Sequence, residues 1–446
     1  MMFTPEIIVV IVSVIVVHAA GVLGSRRGRQ DFVLAERSMS QPLLVATLVA
    51  TWYGAVLASG EFVMRHGIVF LLCFGLPYYI VAIVYAGWLS KRVREGMSAS
   101  IPEQIGRVHG PQARRVAAVL LLVITVPASY QLMIGYILSN LTGLSLGLSI
   151  IVGTVFSVSY VTLGGLRSDA YANVVQLVLM FGSMVLLTVA SMMTFGGPEL
   201  LSTAKTRHLF DIPGSLGWAG IASWWVIAMQ TFIDPNIYVR TASASSVSVA
   251  RKAILWSAVC WIVFDVLQLV AGLYAARYVP GSSPAVAYLT LSDVVLPQWG
   301  RGLVLAGIIA AVSSTLSGYA LVSASTIADD LLPMLRHAGS GSVSRHRIGL
   351  VLTSVVGAAF AYAVPSIIDL IFVASSIVVS ALLLPTLVSH SHFASRFTAE
   401  MIPIMTIPAA VSAIVAAGNF GQPALFGIGT SLLLHIAHLM WVRPTT

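Results

Sequence analysis

Along this chain the apolar residues neither alternate with polar ones, as in a half-buried strand, nor recur every third or fourth position, as on one face of a soluble helix. They run almost uninterrupted, and the runs are separated by short segments rich in Arg, Lys, Gly, Pro and Ser. A helix of about 20 apolar residues rises about 30 Å, the thickness of bilayer hydrocarbon. Lipid offers no partner to an open backbone, so runs of this length read as membrane-spanning helices. Thirteen spans are predicted, over residues 5–23, 40–62, 68–90, 116–138, 145–166, 171–194, 215–238, 252–275, 300–327, 347–364, 366–389, 401–418 and 422–442. Pro365 divides the tenth from the eleventh.

Composition agrees: 58% of the residues are apolar and 9% charged, against about a quarter charged in a soluble domain. The net charge of +8 does not point to nucleic acid, because blocks such as Arg26, Arg27, Arg29 and Lys91, Arg92, Arg94 adjoin apolar spans and read as topology determinants. With thirteen spans, the basic residues fall 19 on one side and 5 on the other (Arg65, Lys205, Arg207, Arg277, Arg301). That asymmetry predicts an inner-membrane protein with its N-terminus outside and its C-terminus in the cytoplasm. The first run carries Glu6 and no preceding basic residues, so it is expected to stay as a span and not to be removed as a signal peptide. Cys73 and Cys260 sit singly inside apolar runs, which supports neither a disulfide framework nor a metal cluster.

Five stretches then stand out: Asp31-Phe-Val-Leu-Ala-Glu-Arg37, Ala50-Thr-Trp-Tyr-Gly54, Thr162-Leu-Gly-Gly-Leu-Arg167 with Gln176, Asp234-Pro-Asn-Ile-Tyr-Val-Arg240, and Ala310-Ala-Val-Ser-Ser-Thr-Leu-Ser317 with Asp330. Together and in this order, over roughly residues 31–389, they resemble the sodium/solute symporter family, whose members take up small organic solutes with sodium. The resemblance implies an all-α membrane protein with a leucine-transporter-like core of ten helices in two inverted five-helix repeats. Here that gives an extra N-terminal helix and basic loop (1–30), a first repeat of spans two to six (31–195), a second of spans seven to eleven (196–390), and two C-terminal helices (391–446). The first helix of each repeat is expected to be interrupted, with Gly54 and Pro235 as candidate positions. Both residue types are also common in uninterrupted membrane helices.

Sodium is a hard cation, and a protein in lipid can offer it carbonyls from a broken helix and hydroxyls without burying charge. Ala311, Ser314 and Thr315 are spaced i, i+3, i+4, so one carbonyl and two hydroxyls share a helix face. Such hydroxyls also bond back to the carbonyl four residues earlier. The resemblance implies that Ser314 and Thr315 hold sodium together with the Ala311 carbonyl and the carbonyls of Val49 and Trp52. The family usually carries Asp three residues before the Gln that matches Gln176, and in some members this acid helps bind a second sodium. This chain has Asn173 there, which predicts one sodium per substrate.

Substrate contacts are expected between spans two, three, four, seven and eleven, from Thr51, Tyr53, Tyr78, Tyr79, Tyr130, Gln131 and Gln230, together with Asp265 in span eight. Tyr and Gln in spans serve equally as interhelical hydrogen bonders. An ionisable residue inside a span marks function by default, and Asp265 suits a substrate amine, a proton or a packing carboxyl. Asp234 and Arg240 are expected near the cytoplasmic surface as a cap or loop anchor, and Asp369 as a helix cap. No Arg or Lys lies deep in the expected substrate region, which favours a neutral or amine-bearing solute.

An enzyme is disfavoured, since H-E-x-x-H and catalytic clusters are absent, and His435 and His438 fall in the last span. The expected function is sodium-coupled uptake of a small organic solute by alternating access. Proton-coupled symport through Asp265 and a non-transporting symporter-like sensor remain the alternatives. Sodium is the expected coupling ion, with no organic cofactor; the expected partners are the solute and membrane lipid, with no nucleic acid and no obligate protein partner.

Overall fold

The computed structural model describes residues 4–25, 29–96, 98–201, 206–331, 343–363, 367–397, 401–419 and 421–441. Among these the protein is helical, with no strand beyond one isolated bridge between Met39 and Ala244. Eleven helices are long and apolar enough to cross a membrane. They are α1 (Pro5–Gly24), α2 (Gln41–His66), α3 (Leu71–Glu95), α4 (Pro111–Thr142), α6 (Val161–Phe195), α7 (Gly214–Ser243), α8 (Val247–Tyr278), α9 (Gln298–Leu331), α10 (Val343–Ala363), α11 (Ile371–Ser389) and α13 (Pro423–Trp441). Two shorter apolar helices, α5 (Leu146–Ser159) and α12 (Met401–Ala417), occupy the fifth and twelfth expected runs. Pro365 and the basic residues Arg26, Arg27, Lys205, Arg336 and Arg443 lie outside the described residues, as do the side chains of Arg29, Asp31 and Asp369.

Burial sorts the helices. The most apolar stretch of α9 is 94% buried, whereas α1 and α13 bury 22% of theirs and turn large apolar side chains such as Ile15, Leu23, Leu433 and Met440 outward. Lipid, unlike water, imposes no cost on that exposure. α9 is therefore the axis around which the others assemble, and it carries the hydroxyl motif.

Two of the helices enclosing α9 are interrupted. In α2 the regular helix ends at Ala50, Thr51 and Trp52 form a turn, Tyr53–Ala55 is a 3-10 turn, and the α-helix resumes at Val56. In α7 the helix over Gly217–Ala228 tightens to 3-10 over Met229–Phe232 and restarts at Pro235, with Asp234 accepting from the Ile237 amide at 3.0 Å as its N-cap. Proline fits the first turn of the new segment because no N–H is needed there. Both interruptions fall at the positions expected from Gly54 and Pro235.

The expected boundary between spans five and six is corrected. Thr162–Arg167 does not close span five; it opens α6, which begins at Val161 and turns sharply at Gly165, whose φ is +58°. A side chain at Gly165 would collide with the Phe32 carbonyl, and one at Gly164 would lie 2.7 Å from the Ser25 Cα. The Gly-Gly pair therefore lets the segment preceding α2 lie against α6, and Asp169 falls on a buried face of this helix, not in a loop.

Gly54 has a comparable role, since any Cβ there would penetrate the Thr315 side chain. Gly54→Ala is expected to destabilise the protein by about 1–3 kcal/mol through overpacking. Gly87→Ala, where a Cβ meets nothing within 4 Å, is expected to be silent. Thermal unfolding of the two purified variants checks this.

Candidate functional site

The break in α2 faces α9. Ser314 Oγ donates to the Ala50 carbonyl at 2.7 Å, and Thr315 Oγ1 donates to the Thr51 carbonyl at 2.9 Å. Both hydroxyls also lie within bonding distance of the Ala311 carbonyl, at 2.8 and 3.2 Å. All three α9 residues are buried. The expected oxygen donors of α9 thus meet the interrupted helix, and the carbonyls in direct contact belong to the two residues between Val49 and Trp52. The Val49 carbonyl instead accepts from the Trp52 amide at 3.2 Å across the turn.

Beside this junction, both interruptions line one cavity of about 100 Å³. Of the residues expected there, Thr51, Tyr53, Tyr78, Tyr130, Gln230 and Asp265 line it. Tyr79 is displaced from the wall, and its hydroxyl donates to Asp265 from behind. Gln131 is a correction: its amide donates to Thr154 Oγ1 at 3.0 Å and to the Ser354 carbonyl at 2.9 Å, so it joins helices away from the cavity. α3 carries π-turns at Leu71–Gly75 and Tyr85–Leu89, on either side of Tyr78 and Tyr79.

Several wall residues were not expected. Trp52 contributes its ring, stacked on Trp261 at 4.5 Å and edge-on to Tyr78 at 5.2 Å. Tyr319 stacks on Tyr130 at 5.4 Å, and its hydroxyl donates to Asp234 at 2.7 Å. Helical spacing carried a usable signal for Tyr319, which lies four residues after Thr315 on the same face. Asp234 does cap a helix, but it is buried and faces this cavity, not the cytoplasmic surface. On the expected outer side, Phe62, Phe74 and Trp224 close the space with ring centroids 4.4–5.8 Å apart. On the expected inner side, beyond Tyr319, a second cavity of about 310 Å³ is lined by Tyr238, Arg114, Asp329 and Asp330 among others. There Arg114 pairs with Asp330 at 2.7 Å.

Arg240 is the largest correction. It is fully buried, and its guanidinium pairs with Asp169 at 2.7 Å, donates to Thr47 Oγ1 at 2.8 Å and to Asn236 Oδ1 at 2.7 Å. Asp169 also accepts from Ser317 Oγ at 2.7 Å and from the Asn173 amide at 3.0 Å. One ion pair thereby joins α2, α6, α7 and α9. Asn173 and Asp169 are one turn apart, so the acid on this face of α6 is already neutralised by an internal cation.

A model described as the sodium:solute symporter family matches residues 32–401. Among similar proteins, the high-affinity proline transporter PutP of Bacillus subtilis is 26% identical over 367 residues, 74% of this chain and 75% of that protein. The sodium/proline symporter of Salmonella typhimurium is 24% identical over 365 residues, 74% of this chain and 71% of its own. Among solved structures, a Na+-coupled sialic acid symporter in its substrate-bound outward-open state superposes with a TM-score of 0.80 over 98% of both chains at 15% identity. A nucleobase-cation-symport-1 family transporter in a closed conformation gives a TM-score of 0.57 over 93% of this chain and 95% of that one, at 16% identity. These superpositions establish the leucine-transporter-like fold.

Removing one partner of a buried ion pair leaves an uncompensated charge, at a cost of about 3–5 kcal/mol. Arg240→Met is therefore expected to be strongly destabilising, and Asp169→Asn combined with Arg240→Met to recover most of the loss. A double-mutant cycle read by thermal unfolding measures the coupling.

Proposed function

This chain belongs to the sodium:solute symporter family, and we propose that it carries a small organic solute into the cytoplasm with one sodium ion by alternating access. The observation that carries the reading is the juxtaposition of Ser314, Thr315 and the Ala311 carbonyl with the interrupted segment of α2, beside a cavity lined by both helix breaks. These are buried, neutral oxygen donors, the ligand chemistry that a hard monovalent cation takes in a membrane interior. Ser314 and Thr315, the Ala311 carbonyl and the carbonyls of the α2 turn from Val49 to Trp52 form the proposed sodium site. Thr51, Tyr53, Tyr78, Tyr130, Gln230 and Asp265 form the proposed solute site.

Two five-helix repeats, α2 to α6 and α7 to α11, account for the placement of one break in each of α2 and α7. The proposed N-terminus is outside and the C-terminus cytoplasmic. Withdrawing Arg240 from the loop count leaves the asymmetry of basic residues intact. A single sodium is favoured because Asn173 brings no charge and Asp169 is already paired with Arg240. Solute uptake into proteoliposomes under a sodium gradient, against a potassium gradient at equal pH, tests the reading; uptake driven by a pH gradient without sodium would overturn it.

Losing one oxygen from the ion's shell costs on the order of 1.5–3 kcal/mol, or roughly 10- to 150-fold in affinity. Thr315→Ala is accordingly expected to need that much more sodium to reach the wild-type thermal stabilisation, whereas Thr315→Ser keeps near-native affinity. Wild-type sodium response in the alanine variant would show the site to be misassigned. The sodium titration of wild type should have a Hill coefficient near one, and a value near two would contradict the single ion.

A further inference from the structure

The cavity between the two helix breaks has an unbalanced wall. Asp234 and Asp265 both line it, and among the described residues no Lys, Arg or His does. The two acids are not equivalent. Asp234 is engaged on both oxygens by neutral donors, the Ile237 amide and the Tyr319 hydroxyl. The Arg240 cation also acts on Asp234; Asp265 is 3% exposed, has only the Tyr79 and Tyr53 hydroxyls at its carboxyl, and forms no ion pair among the described residues. A carboxylate removed from both water and any counter-charge is costly in a membrane interior.

The rest of the wall is complementary to positive charge. Trp52, Tyr78, Phe74 and Trp224 present rings to the space, and aromatic faces attract ammonium groups while tolerating the apolar substituents they carry. An anionic pole finds no cationic side chain among the described lining residues. Two helix N-termini lie beside this cavity, and either could serve an anion, but the one that opens at Pro235 is capped by Asp234, and the one that resumes at Val56, with no side-chain cap, gives its first amide to the Tyr53 carbonyl. We propose, resting on the symporter reading above, that the solute is a small organic cation, an amine or quaternary ammonium without a carboxylate, held by Asp265 and flanked by the Trp52 and Tyr78 rings. The size of the cavity, about 100 Å³, fits a compact ammonium in place of several waters. Each cycle would then carry two positive charges inward, one on the sodium and one on the solute.

The test uses matched probes on the purified full-length protein, with binding read by thermal shift and calorimetry in sodium and in potassium. One set is L-prolinamide, L-proline and cyclopentanecarboxylate; the other is choline, glycine betaine and 3,3-dimethylbutyrate. Within each set, charge runs from cation through zwitterion to anion at nearly constant shape. A charge-assisted contact predicts that the cation of at least one set binds about ten- to a hundredfold more tightly than its zwitterion, with no anion binding. Asp265→Asn should abolish that preference while the sodium-induced stabilisation assigned to Thr315 persists. Tighter binding of a zwitterion or anion, an undiminished cation preference in Asp265→Asn, or no cation binding at all would overturn the proposal. Because the wild-type series alone decides the order, a poorly folding variant does not weaken the test. Cation binding indifferent to sodium, with no stabilisation by sodium itself, would instead reject the symporter reading and leave the cation preference standing.

Discussion

An interrupted helix in lipid must find partners for the carbonyls it releases, and the rest of this structure is organised around that requirement. In α2 the released groups include the carbonyls of Ala50 and Thr51, and Ser314 and Thr315 of α9 take them. A hydrogen bond of this kind contributes only about 0.5–1.5 kcal/mol net, but leaving the acceptor unsatisfied costs more. α9 must therefore be buried along its length, must present two hydroxyls on one face, and must meet a glycine at Gly54 so that the chains approach closely enough. All three conditions hold. In the proposed cycle the same oxygens turn from one another to a cation, so ion occupancy and the geometry of the break are a single variable.

The second organising contact is the buried pair of Asp169 and Arg240. Arg240 stands in the short helix that follows the break in α7, and its partners are on α2, α6 and α7, with Ser317 of α9 completing the shell of Asp169. Gly318 makes room for it, since a Cβ there would lie 2.9 Å from Asn236 Oδ1 and 3.2 Å from the guanidinium. Such a pair adds little stability over an apolar substitute. What it does is fix register: the helix that follows the break in α7 can slide past α6 only by separating charges in a medium that does not solvate them.

Much of this was legible in the sequence because lipid simplifies the problem. Long apolar runs give the helices, and paired oxygens at i, i+3, i+4 give the face of α9 that meets the break. Six of the eight expected solute contacts line one cavity, because the two helix breaks gather the polar side chains of their neighbours around one space. The failures share a cause. Asp169 fell between two expected spans and Arg240 was expected near the cytoplasmic surface, because charge ordinarily marks a span's end, and only a partner 71 positions away in the chain makes them tolerable inside. Gln131 failed the other way, as an amide between helices and an amide facing a ligand look identical in sequence. Gly165 hid the start of α6, since a glycine pair reads as the end of a helix more readily than as a turn within one.

The two sides of the cavity are closed by different chemistry, and this bears on how an alternating cycle would run. Phe62, Phe74 and Trp224 meet through ring contacts whose attraction is short-ranged and carries no charge. The side expected to face inward is held by Tyr319 on Asp234 and, further along, by Arg114 on Asp330, contacts that are directional and involve ions. Parting the outer rings exposes apolar surface to water; parting the inner contacts strands buried carboxylates unless water or solute replaces the lost donors. The 310 Å³ cavity beyond Tyr319 already provides a place for that water. In the proposed orientation, opening inward is thus the step that needs hydration, whereas opening outward needs only that the rings separate.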